Sequence, residues 1–518
     1  MEMGNRGVGE QVNDYSSGQA RIVTGSGAFQ DGTLRSIRNG IRKQEHGLIA
    51  EMAHITHIFS LRSSSVRERV DVLVASFVDE TRILQFSPDG EIEEKAQFFC
   101  LSLRESTLLA SSISDSRILQ VTRARVRIVD LESASVVAEW SPPAGEPVVA
   151  ASANLQYLGL SVGGMQVIIL DLLNDLRVVA SRTFNEDGQI ACLHIPMFLS
   201  NICIIGFWRS ATVSIFKLDS LESILKTTVT EDPVPVPRSI LLTHILPAQP
   251  PTLLVAMANG EVVTFSLDVD TFTLSARKTV VLGTQHATFE VLHGDDGLSK
   301  VFAICEFPSL VYASGGRIVY SAIPAEEVSC VCAFDSEAYP GAVAIATTED
   351  LRIATVDTQR ATHVQSLAVE ETVRRIAYSP SLGVFGLGTV KRTLRDSREI
   401  MRSHFKLADD VSFNAIDSYA LHEDELVESV AVGDLKTSSD WVHRFIVGTA
   451  FLEDQSDDSS AGRIMVFSVT TDRVLQLVTE LSIKGACRAL DIVCGDIVAG
   501  LVKTVGKLHD SHQNHAAK

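Results

Sequence analysis

Seven segments between residues 70 and 360 repeat one pattern: an apolar run, a short polar or glycine turn, and a second apolar run. They occupy residues 73–86 (LVASFVDETRILQF), 119–130 (LQVTRARVRIVD), 158–170 (LGLSVGGMQVIIL), 203–218 (CIIGFWRSATVSIFKL), 253–267 (LLVAMANGEVVTFSL), 302–320 (FAICEFPSLVYASGGRIVY) and 343–357 (VAIATTEDLRIATVD). Their starts are about 45 residues apart on average, the length of a four-stranded propeller blade. Amphipathic stretches of helical period are rare, so the fold class is all-β. The pairs Asp89-Gly90, Gly163-Gly164, Asn259-Gly260 and Gly315-Gly316 put residues that tolerate positive φ where hairpins turn. A hairpin of this kind buries its faces against neighbours, so a lone blade has no complete core and the unit depends on closing the ring. A pair of β-sandwiches would also show strands roughly every 8–12 residues. The steady step favours a complete seven-bladed β-propeller, flanked by partial propeller segments.

The flanks fall outside the step. Residues 1–19 are polar and read as a disordered N-terminus, and residues 21–45 read as strands around the turns Gly25-Ser26-Gly27 and Asp31-Gly32. Residues 391–412 (KRTLRDSREIMRSHFKLADDVS) look charged and irregular. New hairpin-like runs follow at 445–450 and 463–469, separated by the acidic run 453–458, which reads as a solvated loop. Residues 497–505 are strand-like, but 506–518 (GKLHDSHQNHAAK) form a polar tail with no apolar partner. This last unit reads as incomplete, with unpaired edges and the lowest stability in the chain.

Charge and cysteine usage narrow the function classes. The chain of 518 residues carries 45 Lys and Arg against 64 Asp and Glu, a net charge of −19, which repels phosphate backbones and anionic membranes. Its eight cysteines are too few for a disulfide scaffold, and Cys192, Cys203 and Cys305 sit in apolar runs, as expected in a reducing compartment. There is no Asn-x-Ser/Thr sequon, and the first 18 residues have no apolar signal core. The most membrane-like stretch, 191–208, is broken by His194, Pro196, Ser200 and Asn201, so the chain reads as soluble, with no membrane partner.

No catalytic constellation emerges, and the chain reads as a non-enzyme without cofactor or metal. Residues 500–508 (GLVKTVGKL) have five residues between the glycines where a phosphate loop has four, and Leu508 where Ser or Thr should follow the lysine. Cys330 with Cys332, and Cys192 with His194, are i, i+2 pairs lacking a second pair at zinc-site spacing, so buried structural roles fit better. Arg117, Arg123, Arg125 and Arg127 resemble a nucleic-acid stripe, but a charged outer face of one hairpin explains them more simply, with Glu139 solvated. Trp140 precedes a proline break, where core packing suits it. Trp208 lies at the turn of the fourth hairpin, IIGFWRS, and is either an exposed anchor or a packing residue between blades.

The segment TGSGAFQDGTLRSIRNGI at 24–41, followed by Glu45-His46, resembles the damaged-DNA-binding protein 1 family, the large adaptor subunits of cullin-4 ubiquitin ligases. VASFVDETRIL at 74–84, AEW at 138–140, VPRSILLT at 236–243, RKTVVLGTQ at 277–285, GRIMVF at 462–467 and IKGACRAL at 483–490 match in register. The resemblance implies three propellers and a helical domain in the whole protein. The first and third propellers hold substrate receptors, and the middle one docks the cullin and swings on hinges. On this chain it implies 20–52 as the end of a first propeller, 53–375 as the complete cullin-binding propeller with hinges near 50 and 375, and 376–505 as the opening of a third. It further implies a scaffold in ubiquitination and DNA repair, nuclear and also cytoplasmic. The partners are the cullin-4 N-terminal region and, in the full-length protein, substrate receptors, with DNA reached at most through a partner subunit. The cullin face would carry Trp208, Arg209 and Gln189, the last departing from an acidic residue expected there. The paralogous RNA-processing scaffolds, the large subunits of splicing factor 3b and of the cleavage and polyadenylation factor, share the plan and are the alternative.

Overall fold

The computed structural model describes residues 21–508 apart from 115, 186–187, 210, 231–234, 294–297, 326, 396–397, 438–439, 453–460 and 503. The polar N-terminus, the acidic run 453–458 and residues 509–518 of the expected tail lie outside the described residues. Among the described residues the regular elements are β-strands and two single-turn 3-10 helices, Phe29–Asp31 and Pro143–Gly145. The described chain divides into one compact unit formed by Asn39–His363 and another formed by 21–38 with 364–508.

In the first unit, five antiparallel four-stranded sheets follow one another in sequence, beginning with His57–Leu61, Thr107–Ser112, Val148–Ala153, Ile190–His194 and Pro237–Thr243. A sixth begins with Thr288–His293 and ends with Arg317–Ala322. The seventh takes three strands, Val328–Phe334, Ala342–Thr347 and Asp350–Ala368, from the end of the unit, and its outer strand, Thr33–Glu51, from the beginning. The innermost strands neighbour one another in sequence order, and Val328–Phe334 lies beside His57–Leu61, so the ring of seven blades closes. The expected boundaries at 52 and 375 therefore differ from those of the compact unit. Residues 39–51 belong to it because blade seven needs a fourth strand, and the chain reaches that strand before the others.

Each of seven hydrophobic clusters is shared by two consecutive blades. Ile128 and Val126 of the second pack with Leu158 and Leu160 of the third, and the last interface puts Phe86 of the first blade against Phe334 of the seventh, ring centroids 4.7 Å apart. Burial on both faces explains why the central strands are continuously apolar instead of alternating: Ile202–Phe207 and Thr252–Met257 are buried at every position. A fully buried phenylalanine such as Phe207 or Phe302 contributes roughly 1.5–3 kcal/mol. The repeated hairpins in the sequence are chiefly the second and third strands of each blade, while outer strands such as Ile92–Lys95 are polar and exposed. Two of the four expected hairpin turns, Gly163-Gly164 and Gly315-Gly316, have positive φ at both residues; at 89–90 and 259–260 only the glycine does.

The second unit holds the sheet from Thr372–Ser379 to Ala415–Glu423, the sheet from Glu425–Lys436 to Leu475–Lys484, and a three-stranded sheet, Cys487–Val493, Asp496–Leu501 and Val505–Leu508. Ile22–Ser26 pairs with the first part of Thr33–Glu51. Two expectations are corrected here. The charged stretch 391–412 is not irregular: Val384–Arg395 and Arg398–Asp409 form one long hairpin, in register from Val384↔Asp409 to Arg395↔Arg398. The polar tail begins later than 506, because Gly506 and Lys507 pair with Ala499 and Val498. In both places backbone pairing, which does not require an apolar side chain, outweighs the unfavourable composition.

Both four-stranded sheets of this unit carry a buried carboxylate tied to a threonine and a cation. Glu371 accepts a hydrogen bond from Thr389 Oγ1 at 2.5 Å, lies 3.0 Å from His404 Nδ1 and pairs with Lys406 Nζ at 3.1 Å. In the next sheet Glu425 accepts from Thr449 Oγ1 at 2.6 Å and pairs with Arg463.

Candidate partner-docking site

Trp208 follows the strand Ile202–Phe207 and opens the turn to Thr212–Lys217. Its backbone N–H donates to the carbonyl of Gln189 at 2.9 Å, continuing the ladder that pairs Phe207 with Ile190. That bond brings the three sequence-predicted residues together, since Gln189 ends the loop before Ile190–His194 and Arg209 follows Trp208. Gly188 has φ +84°, and the space a Cβ would fill there is occupied by Arg209, whose Cγ and Cδ lie 2.9 Å from it. Gln189 and Arg209 are exposed, and Trp208 keeps 43% of its surface in solvent despite its size.

A fourth residue completes the site and was not singled out in the sequence. Arg238, at the start of Pro237–Thr243 in the next blade, stacks its guanidinium over the Trp208 indole, Cζ 4.4 Å from the ring centroid. Arg238 is 30 residues from Trp208 and meets it across a blade boundary, so no local spacing marks the pair. His286, exposed just before the following blade, has its imidazole pKa lowered first by burial and then by Arg238. The rim thus presents an indole backed by one guanidinium, with a second beside it. Such a surface suits an aromatic anchor contact with another protein.

The remaining candidates resolve into structural roles. Trp140 is partly buried and packs on the cluster between the second and third blades. Arg127 pairs with Glu139 at 2.8 Å, and Arg125 with Glu139 at 3.4 Å and Glu105 at 3.7 Å. Glu139 is therefore an ion-pair partner, not merely a solvated side chain. Arg117 and Arg127 lie on the two strands Arg117–Thr122 and Val126–Asp130, and Arg123 and Arg125 in the turn between them. Cys192 is buried with its thiol pushed up to about 12 by that burial, and burial pushes His194 down to about 4. Cys330 and Cys332 are buried in the core between the seventh and first blades. Among the described residues no three His, Cys, Asp or Glu side chains gather as metal ligands. Gly500 and Leu501 end one arm of a hairpin and Val505–Leu508 form the other, Gly500 facing Val505, so these residues are ladder partners and not a phosphate-binding loop.

One constellation went unseen in the sequence. Ser379 Oγ lies 2.8 Å from His443 Nε2, and His443 Nδ1 lies 2.6 Å from Asp434 Oδ1. The order is that of a hydrolytic triad, but the burial is reversed: Ser379 has no exposed surface, whereas the aspartate is the open end. A nucleophile closed to solvent cannot reach a substrate, and the bonds instead tie one sheet to the next.

Comparisons with known proteins agree with this architecture. A family model described as the RSE1/DDB1/CPSF1 second beta-propeller matches residues 44–356, and one described as the CPSF A subunit region matches 402–509. Proteins named DNA damage-binding protein 1 from Solanum lycopersicum and Oryza sativa subsp. japonica are 32% and 31% identical over 494 and 491 residues. DNA damage-binding protein 1a from Arabidopsis thaliana is 32% identical over 492. Each alignment covers 93% of this chain and 44% of the relative, so the chain spans less than half the length of the relatives it matches. The closed ring of seven blades and the match over 44–356 together establish that this chain belongs to the RSE1/DDB1/CPSF1 β-propeller family.

Proposed function

We propose that this chain is a non-catalytic scaffold of the cullin-4 ubiquitin ligase type, whose unit Asn39–His363 docks the cullin amino-terminal region through the rim at Trp208. The observation that carries the reading is an exposed tryptophan held in place by Arg238 and by its own backbone bond to Gln189. A large aromatic side chain left in solvent contributes little to folding, and its burial becomes favourable when a partner covers it. A rigid ring needs no chemistry of its own to act; it fixes the direction in which the bound partner extends. Substrate receptors, linkage to DNA repair and a nuclear location follow from the same reading and belong to the longer protein, with DNA contacted at most through a partner subunit.

Co-expression with a cullin-4 amino-terminal domain, followed by size-exclusion chromatography, tests it. The wild-type chain is expected to co-elute with the cullin domain, and Trp208→Ala to weaken the complex by about 2 kcal/mol or more. A folded wild-type chain that elutes alone overturns the reading. Co-purification with splicing or cleavage-factor subunits in place of a cullin would move the chain to the RNA-processing scaffolds.

A further inference from the structure

A guanidinium stacked flat on an indole uses its face for the ring and leaves its N–H edge free to grip a carboxylate. The Cζ of Arg238 lies over the Trp208 ring, 4.4 Å from its centroid, and among the described residues no carboxylate pairs with Arg238 or with Arg209. Gln189, whose carbonyl accepts from the Trp208 N–H, is neutral, and His286 is displaced towards its neutral form by burial and by Arg238. In a chain of net charge −19, two guanidinium groups beside an exposed tryptophan, without a described counter-charge, form a local reversal of sign. Glu186, Asp187, Glu231 and Asp232 are close to these residues in the sequence but lie outside the described residues.

We propose that the Trp208 rim is a cationic docking patch for a protein segment in which an aspartate or glutamate stands beside an apolar side chain. The carboxylate meets the N–H edge of Arg238, with Arg209 adding to the field, and the apolar side chain covers the exposed part of Trp208. Arg238 is then a specificity-determining residue as well as the support of the anchor. This rests on the docking role proposed above and names the chemistry of the partner.

The test has two arms. In the first, affinity for the cullin-4 amino-terminal domain is measured at low and high salt for the wild type, Arg238→Gln, Arg238→Lys and Arg209→Gln. Arg238→Gln is expected to weaken binding about tenfold and to reduce its salt dependence, with Arg238→Lys in between because it keeps the charge without the planar fork. An unchanged affinity and salt dependence in Arg238→Gln overturns the proposal while leaving the docking role intact. The second arm needs no partner. In a Trp140→Phe, Trp441→Phe background the fluorescence of Trp208 is quenched with iodide and with neutral acrylamide. A cationic patch makes iodide the disproportionately effective quencher, and Arg238→Gln and Arg209→Gln each diminish that excess. If iodide shows no excess, nearby carboxylates neutralise the patch and the proposal fails, whatever the cullin result.

Discussion

Glu425 and Arg463 form a two-pronged ion pair inside the second unit, Nε to Oε1 at 2.9 Å and Nη2 to Oε2 at 2.6 Å, with the glutamate wholly buried. Thr449 Oγ1 donates to the same carboxylate, and Glu480, half exposed, takes the remaining edge of the guanidinium. A buried pair of this kind gains little over an apolar replacement, but removing one partner strands the other charge. Glu425→Gln is therefore expected to cost about 3–5 kcal/mol in urea denaturation of this unit. Glu480→Ala is expected to cost less than about 1 kcal/mol. A double replacement by apolar residues should cost less than Glu425→Gln alone.

Glu371, the equivalent carboxylate one sheet earlier, should govern acid stability. Burial alone would raise its pKa, but hydrogen bonds from His404 and Thr389, the charge of His404 and the bond from Lys406 outweigh it and hold the group at about 2. In the unfolded chain the same group titrates near 4.5. Its stabilising contribution is complete above 4.5 and is lost as the pH falls towards 2. Denaturation midpoints between pH 6 and pH 3 are expected to fall steeply in the wild type and less steeply in Glu371→Gln, which has lost the contribution throughout.

Glu290 works in the opposite direction. It sits on the innermost strand of the sixth blade, and burial pushes its carboxyl up to about 8. Between 4.5 and 8 the folded state keeps a proton that the unfolded chain has released, so stability falls as the pH rises through that window. Glu290→Gln should leave stability at pH 4 unchanged and raise it at pH 8, measured by thermal denaturation. Equal effects at both pH values would mean that the group titrates normally.

Gly40 lies on the outer strand that completes the seventh blade. It bridges to Ala322 of the sixth blade, and a Cβ there would lie 2.9 Å from His363 Cβ and 3.1 Å from the carbonyl of Ala322. Gly40→Ala is expected to lower the stability of the propeller by roughly 1–3 kcal/mol through overpacking. Limited proteolysis should show the outer strand Thr33–Glu51 becoming accessible before the first five blades.

The repeat and the fold class were legible because the second and third strands of each blade are buried on both faces, and an apolar run broken by a turn is the direct trace of that burial. Trp208 was legible as a candidate because a tryptophan in a hairpin turn is chemically conspicuous. The long hairpin of 384–409 was not, since its pairing is made by backbone groups that every residue carries, under side chains rich in charge. Nor were the Glu371 and Glu425 networks, in which Glu371 meets Thr389 and His404, 18 and 33 residues away, and Glu425 meets Thr449 and Arg463, 24 and 38 residues away.

By itself the sequence determined that this chain is an array of β-hairpins with a blade-length period, because burial and turn preferences act over a few neighbouring residues. Only the tertiary structure decided which strand closes the seventh blade, and that Arg238 stands behind Trp208. Both depend on which distant segments are brought side by side when the ring closes, and a contact made across a blade boundary leaves no periodic mark in either segment that forms it.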